Sequence, residues 1–194
     1  MKFQFNKTAL QKLKKELTVR QKALPTLKAK ETALRLEVRK ASELLQNKER
    51  ELEQLMAAHA PQARVWLEFP AVLAVRQIEV RTRNVAGVKV QELDTIHFDI
   101  RNYSLYANRA WVPGGTDLLK EFCTRQIELR LLNLNTRLLE RARKKTTQKV
   151  NLYEKVQIPE YQSAILKIKR FLEDKENLSI AASKIVKEKQ KRAS

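Results

Sequence analysis

The sequence predicts a mainly α protein: a long antiparallel two-helix coiled coil formed by N- and C-terminal helices, with a small β-hairpin-containing insert in the middle. Three observations predict it. A seven-residue apolar repeat runs through most of the first 60 residues. Apolar and polar residues then alternate on either side of a glycine-containing turn. Helical spacing returns after a "VPGGT" stretch and continues almost to the last residue. The composition agrees. Only three glycines occur in 194 residues and 32% of the chain is charged, a mixture that favours long helices over a compact globule. The expected segments are 1–60, 61–115 and 116–194.

The first helix rests on two companion series. Positions 10, 17, 24, 31, 38, 45 and 52 read Leu, Leu, Leu, Glu, Val, Leu, Leu. Positions 13, 20, 27, 34, 41, 48 and 55 read Leu, Arg, Leu, Leu, Ala, Lys, Leu. Eleven of these fourteen positions are apolar, the mark of a coiled-coil seam. Asn6 or Thr8 is placed to cap the start, and Pro61 marks the end. A helix over 8–58 would be roughly 75 Å long, more than a single globular core needs. Pro25 interrupts it and is expected to bend or loosen the turn before it.

The insert changes period. "RQIEVRTR" alternates Ile78, Val80 and Thr82 against Glu79, Arg81 and Arg83. "NVAG" follows, then "VKVQEL", which together read as a β-hairpin. "DTIHFDIRNYSLY" alternates Ile96, Phe98 and Ile100 and is expected to add a third strand. Thr116 or Asp117 is placed to cap the next helix.

The last segment carries Leu118, Phe122, Leu129, Leu132 and Leu139 on one stripe. The stripe lapses in "RARKKTTQK" and resumes at Val150 and Tyr153, then Ile158, Tyr161, Ile165, Ile168 and Leu172. From Val150 to Ile158 the spacing is eight and not seven, a drift of one residue that locally changes supercoiling. Pro159 follows directly. A proline inside a helix removes one hydrogen bond and clashes with the carbonyl four residues back. Because the seam continues on both sides, one helix with a modest kink is expected. Heptads do not name their partner, so a parallel homodimer competes with the intrachain pair. The second helix is the longer, and one end should protrude or meet another protein.

The net charge is +18, and the excess lies on the flanks: 14 basic against 7 acidic residues in 1–60, and 19 against 10 in 116–194. An acidic partner is implied, whether nucleic acid, a membrane surface or an acidic protein cavity. "RARKKTTQK" and "SKIVKEKQKRAS" concentrate the charge, but no recognisable nucleic-acid-binding module accompanies them. A solvated helical face or a protein partner therefore ranks above nucleic acid. Cys123 stands alone, so no intrachain disulfide forms and a reducing compartment is expected. No apolar run reaches membrane-spanning length. A soluble, cytoplasmic chain is the expectation.

No catalytic motif is present. Neither GxxxxGK[ST] nor GxGxxG occurs. His59 and His97 are far apart in sequence; His59 reads as a solvated helix end, and His97 as facing away from Ile96 and Phe98. Cys123 beside Phe122 reads as a buried or half-buried helix residue rather than a reactive thiol. No catalytic, cofactor-binding or metal-binding residue is expected. On these grounds a basic coiled-coil nucleic-acid-binding protein and a structural scaffold remain as alternatives to a helical protein whose basic surface faces an acidic protein partner.

Several motifs in order carry a resemblance. They are "NKTALQKLKKEL" (6–17), "LPTLKAKETAL" (24–34), "NVAGVKV" (84–90), "YSLY", "TDLLKEF" and, above all, "TTQKVNLYEKVQIPEYQSAILKIKRFLEDKE" (146–176). Together they resemble the D-subunit family of V-type ATPases and ATP synthases, in a form associated with bacterial members. Pro25 departs from the commonest form of the first helix, and "QARVWLEFPAVLAV" matches only loosely.

The resemblance implies a non-catalytic central rotor shaft without cofactors. It implies a peripheral position on the cytoplasmic side of a membrane complex that moves protons or sodium ions. Expected partners are a hexamer of catalytic A and non-catalytic B subunits, the small F subunit, and a funnel-shaped subunit on the membrane ring. The expected subunit-interface residues are Arg141, Arg143, Lys144 and Lys145 of the basic run. Val150, Tyr153, Ile158, Pro159, Ile165, Ile168 and Leu172 join them from the stretch that carries most of the resemblance.

Overall fold

The computed structural model describes residues 4–102, 104 and 109–193. Helix α1 spans Lys7–His59 and runs through Pro25 without a break. Of the two candidate caps Asn6 is used: its Oδ1 accepts the Ala9 N–H at 2.6 Å. Pro61 sits in a 3₁₀ turn, Ala60–Gln62, that ends the helix as expected. A short helix α2, Ala63–Trp66, follows. None of the fourteen seam positions of α1 is exposed, so the heptad identifies the buried stripe along the whole helix.

Strands β1 (Leu73–Val85) and β2 (Val88–Ile100) form a two-stranded antiparallel hairpin. Val85 pairs with Val88 across the turn, where Ala86 and Gly87 take φ of 51° and 80°. Positive φ at both central residues matches the twist of the strands, and glycine accepts it without steric cost. Among the described residues the expected third strand is not a separate element. Residues 94–100 continue β2 and pair with β1, which itself begins earlier, at Leu73. Two bulges account for the difference: the ladder register skips Arg76 and Asp94, although the Asp94 carboxylate still reaches Arg81 across the hairpin at 3.3 Å. Each bulge shifts the side-chain phase by one residue. Val75 thus still meets Phe98, Ile78 meets Ile96, and Val80 meets Leu93. Of "YSLY", Tyr103, Leu105 and Tyr106 lie outside the described residues.

Helix α3 spans Val112–Asn151 and starts a turn earlier than expected. Thr116 is therefore no cap; its Oγ1 donates to Val112 O within the first turns, at 2.8 Å. Pro113 is tolerated there because first-turn N–H groups lack intrahelical partners anyway. Residues Leu152–Gln157 form a π-helix, and α4 runs from Ile158 to Ala193. The eight-residue spacing is thus absorbed as one widened turn, in which Ile158 N–H reaches Tyr153 O. Helix continues on both sides of Pro159, as the apolar seam predicts.

The chain divides into two compact units, one of Met1–Glu31 with Lys145–Ser194 and the other of Thr32–Lys144. In the first, Leu13 of α1 packs with Tyr161, Ala164 and Ile168 of α4, flanked by Leu10, Leu17, Ile165 and Leu172. In the second, Leu34 of α1, Leu139 of α3 and Val90 of β2 form the core, with Val85, Ala86 and Val88 of the hairpin tip packed against it. Within each unit the helices run antiparallel. Glu16 meets Tyr161 while Glu31 meets Thr147 in the first, and Lys48 meets Glu128 while Glu51 meets Arg125 in the second.

Candidate functional site

The seam of the first unit holds a polar cluster. Arg20 occupies an apolar heptad position, and its Nε donates to Gln157 Oε1 at 2.8 Å. The same guanidinium lies 4.4 Å over the Tyr161 ring, a cation–π contact. Tyr161 is 3% exposed, and its hydroxyl donates to Glu16 Oε2 at 2.6 Å. Burial first, and that hydrogen bond second, push the Tyr161 phenol above its ordinary value. Further along, Lys28 Nζ pairs with Glu154 Oε1 of the π segment at 2.6 Å.

Three features of the second unit leave no mark in the heptad pattern. Asn135 of α3, a buried polar residue, bonds the backbone of Gln91 in β2 through both ends of its amide. Trp66, Phe69 and Trp111 form a mutual cluster with ring centroids 5.5–5.8 Å apart. Gly115 lies against it, and a Cβ there would meet Phe69 Cε2 at 2.8 Å. An apolar cavity of about 980 Å³ opens beside the cluster, with Met56, His59, Phe69, Leu73, Phe122 and Cys123 in its wall. The concentration of aromatics in the middle third is the one sequence signal for it. His59 is not a solvated helix end, contrary to expectation. It is half-buried, packs edge-on to Phe122 at 6.1 Å, and its Nδ1 has no hydrogen-bond partner among the described residues. Cys123 is half-buried, as expected. His97 is exposed and meets Glu79 Oε1 at 3.1 Å.

The expected interface residues fall into two sets. In the second unit, Arg141 and Lys144 are exposed and Arg143 is half-buried; Lys144 pairs with Glu140 at 3.3 Å. In the first unit, Lys145 and Pro159 are exposed. Val150 and Ile168 are buried, with Ile168 at 0% exposure in the Leu13 cluster. Tyr153, Ile158, Ile165 and Leu172 are half-buried. Beyond Leu172, every residue of 173–191 is exposed, including Leu178 at 71% and Ile185 at 55%. No group of His, Cys, Asp and Glu among the described residues could hold a metal ion, and no described helix is long and apolar enough to cross a membrane.

With this geometry in view, comparison with known proteins is specific. Residues 9–188 match the family model for the D subunit of ATP synthase. A V-type ATP synthase D subunit from Borreliella burgdorferi is 30% identical over 189 residues, covering 96% of this chain and 94% of that protein. Another from Chlamydia abortus is 31% identical over 173 residues, covering 86% and 83%.

Proposed function

Because this chain belongs to the ATP synthase D-subunit family and is a component of a rotary ATPase, we propose that it serves as the central rotor shaft. In this reading it is non-catalytic. It carries torque between the ion-translocating ring in the membrane and a hexamer of catalytic A and non-catalytic B subunits. The small F subunit and a funnel-shaped subunit on the ring hold its other contacts, on the cytoplasmic side.

The observation that carries the reading is the exposed stretch 173–191 of α4, which continues after the seam with α1 has ended. Leu178, Ile180, Ile185 and Val186 stand out from an otherwise solvated helix there, which suits an axle end held in a sleeve. A shaft must also resist twist, and the paired helices of each unit supply that resistance. The π turn at Leu152–Gln157 and Pro159 make the helix irregular, which presents unequal faces to a three-fold partner.

The eleven expected interface residues take two roles in this proposal. Arg141, Arg143, Lys144 and Lys145 supply positive charge toward acidic rims of the hexamer. Val150, Tyr153, Ile158, Ile165, Ile168 and Leu172 hold the contour of the helix pair, and Pro159 marks its irregular turn.

Affinity capture of the tagged full chain tests the proposal. The A, B and F subunits should co-purify, and an eluate without them overturns it. Reversing the charge at Arg141, Arg143, Lys144 and Lys145 should weaken assembly or uncouple ATP hydrolysis. Unchanged assembly and coupling would remove the electrostatic part.

A further inference from the structure

The heptad of α1 has three polar intruders, Arg20, Glu31 and Lys48, among eleven apolar residues. Such positions face the partner helix, so a polar residue there costs stability unless it is matched. None of the three is exposed, and each is matched across the seam. Arg20 Nε donates to Gln157 Oε1 at 2.8 Å. Thr147 Oγ1 donates to Glu31 Oε1 at 2.9 Å. Lys48 Nζ stands 3.8 Å from Glu128 Oε2 and 3.2 Å from Glu51 Oε2.

We infer that Arg20, Glu31 and Lys48 are the residues that make α1 pair with its own chain, in one register, rather than with a second copy. The competing arrangements fail at these positions. A parallel in-register homodimer of α1 sets Arg20 against Arg20, Glu31 against Glu31 and Lys48 against Lys48. Three like-charge contacts would then be held inside a half-buried seam. A one-heptad slip of the native pair fails as well. It replaces Gln157 opposite Arg20 by Val150 or Ala164, both buried and apolar. It replaces Thr147 opposite Glu31 by Glu140 or Glu154. The eleven apolar positions cannot make this distinction, because leucine packs against leucine in either direction. The inference stands on seam geometry and is independent of the shaft reading.

The test is the full chain carrying Arg20→Leu, Glu31→Leu and Lys48→Leu together. The α1 face of the seam becomes wholly apolar while Gln157, Thr147 and Glu128 on the facing helix lose their partners, so uniqueness of pairing and not the melting temperature is the readout. Pairing should lose its uniqueness. Sedimentation should reveal dimers in the variant and a monomer in the unmodified chain. In a Cys123→Ser background, Lys28→Cys with Glu154→Cys reports the native pairing through a short bismaleimide. The intrachain product should fall severalfold in the triple variant while an interchain product appears. A triple variant that stays monomeric with undiminished intrachain product overturns the inference. Glu31→Gln alone, which keeps the hydrogen bond and removes the charge, should retain the native product; its loss would count against the inference.

Discussion

Asn135 Oδ1 accepts the Gln91 N–H at 3.0 Å, and its Nδ2 donates to Gln91 O at 2.5 Å. A side-chain amide on α3 thus stands where a neighbouring strand would be and satisfies the outer edge of β2. A two-stranded hairpin has little stability alone. This one is tied to its unit by that amide and by the packing of Val90 on Leu34 and Leu139.

Asn135→Leu should therefore loosen the hairpin more than its volume suggests. Both Gln91 backbone groups lose their partner while part-buried, at a cost of about 1–3 kcal/mol. Hydrogen exchange at the Gln91 amide should accelerate while the helical circular dichroism stays constant. Unchanged protection at Gln91 would show that apolar packing alone holds the hairpin.

Tyr161 links stability to pH. Its folded-state pKa lies above the ordinary 10.0, so the folded protein holds the phenolic proton more tightly than the unfolded chain. The contribution is complete below pH 10 and is lost as the pH rises through the folded value. Tyr161→Phe, which also gives up the bond to Glu16, should cost about 1 kcal/mol at neutral pH. The difference from the unmodified chain should shrink above pH 10. Thermal melts of both proteins across that range check the sign.

Two adjacent glycines of α3 should behave oppositely. A Cβ at Gly114 would meet nothing within 4 Å, so Gly114→Ala should stabilise α3 by up to about 1 kcal/mol. Gly115→Ala drives a methyl into Phe69 and Trp111, and should cost about 1–3 kcal/mol as the rings shift. Denaturant midpoints, read alongside tryptophan fluorescence, separate the two.

The π turn accommodates one residue beyond the heptad. Deleting Val156, which is exposed, should let Leu152–Gln157 close into ordinary α-helix with little loss of stability. Deleting Ser163, inside regular α4, should rotate the following stripe by about 100° and pull Ile168 out of the Leu13 cluster. A Val156 deletion as damaging as the Ser163 deletion would mean that the widened turn is itself required for folding.

Much of this architecture can be read from the chain because coiled coils and hairpins are periodic. Leu13, Leu34 and Leu139 declare their burial by spacing, and Asn6, Pro61 and Gly87 mark ends and turns by backbone chemistry that acts over a few residues. The drift between Val150 and Ile158 is visible as a number, although not as a π turn: an extra residue changes the local hydrogen-bond ring only once the flanking seams are pinned by a partner helix. The third strand fails for a related reason. Arg76 and Asp94 look like ordinary polar positions until two strands are paired and the mismatch must bulge out.

The residues expected at subunit interfaces divide along the same line. In the run that is polar except for Ala142, Arg141, Lys144 and Lys145 are exposed and Arg143 is half-buried, whereas Ile168 is closed inside its own unit. By itself the sequence determined the long helices, the buried stripe, the hairpin turn and, through ordered motifs, the family. Tertiary structure alone decided that Arg20 answers Gln157, that Asn135 completes an edge of β2, and that Gly115 makes room for two aromatic rings. Periodicity reports which side of an element is buried, because that depends on neighbours three or four residues away. It carries no record of what lies across the gap, because the groups that meet there are brought together from positions 44 to 137 residues apart.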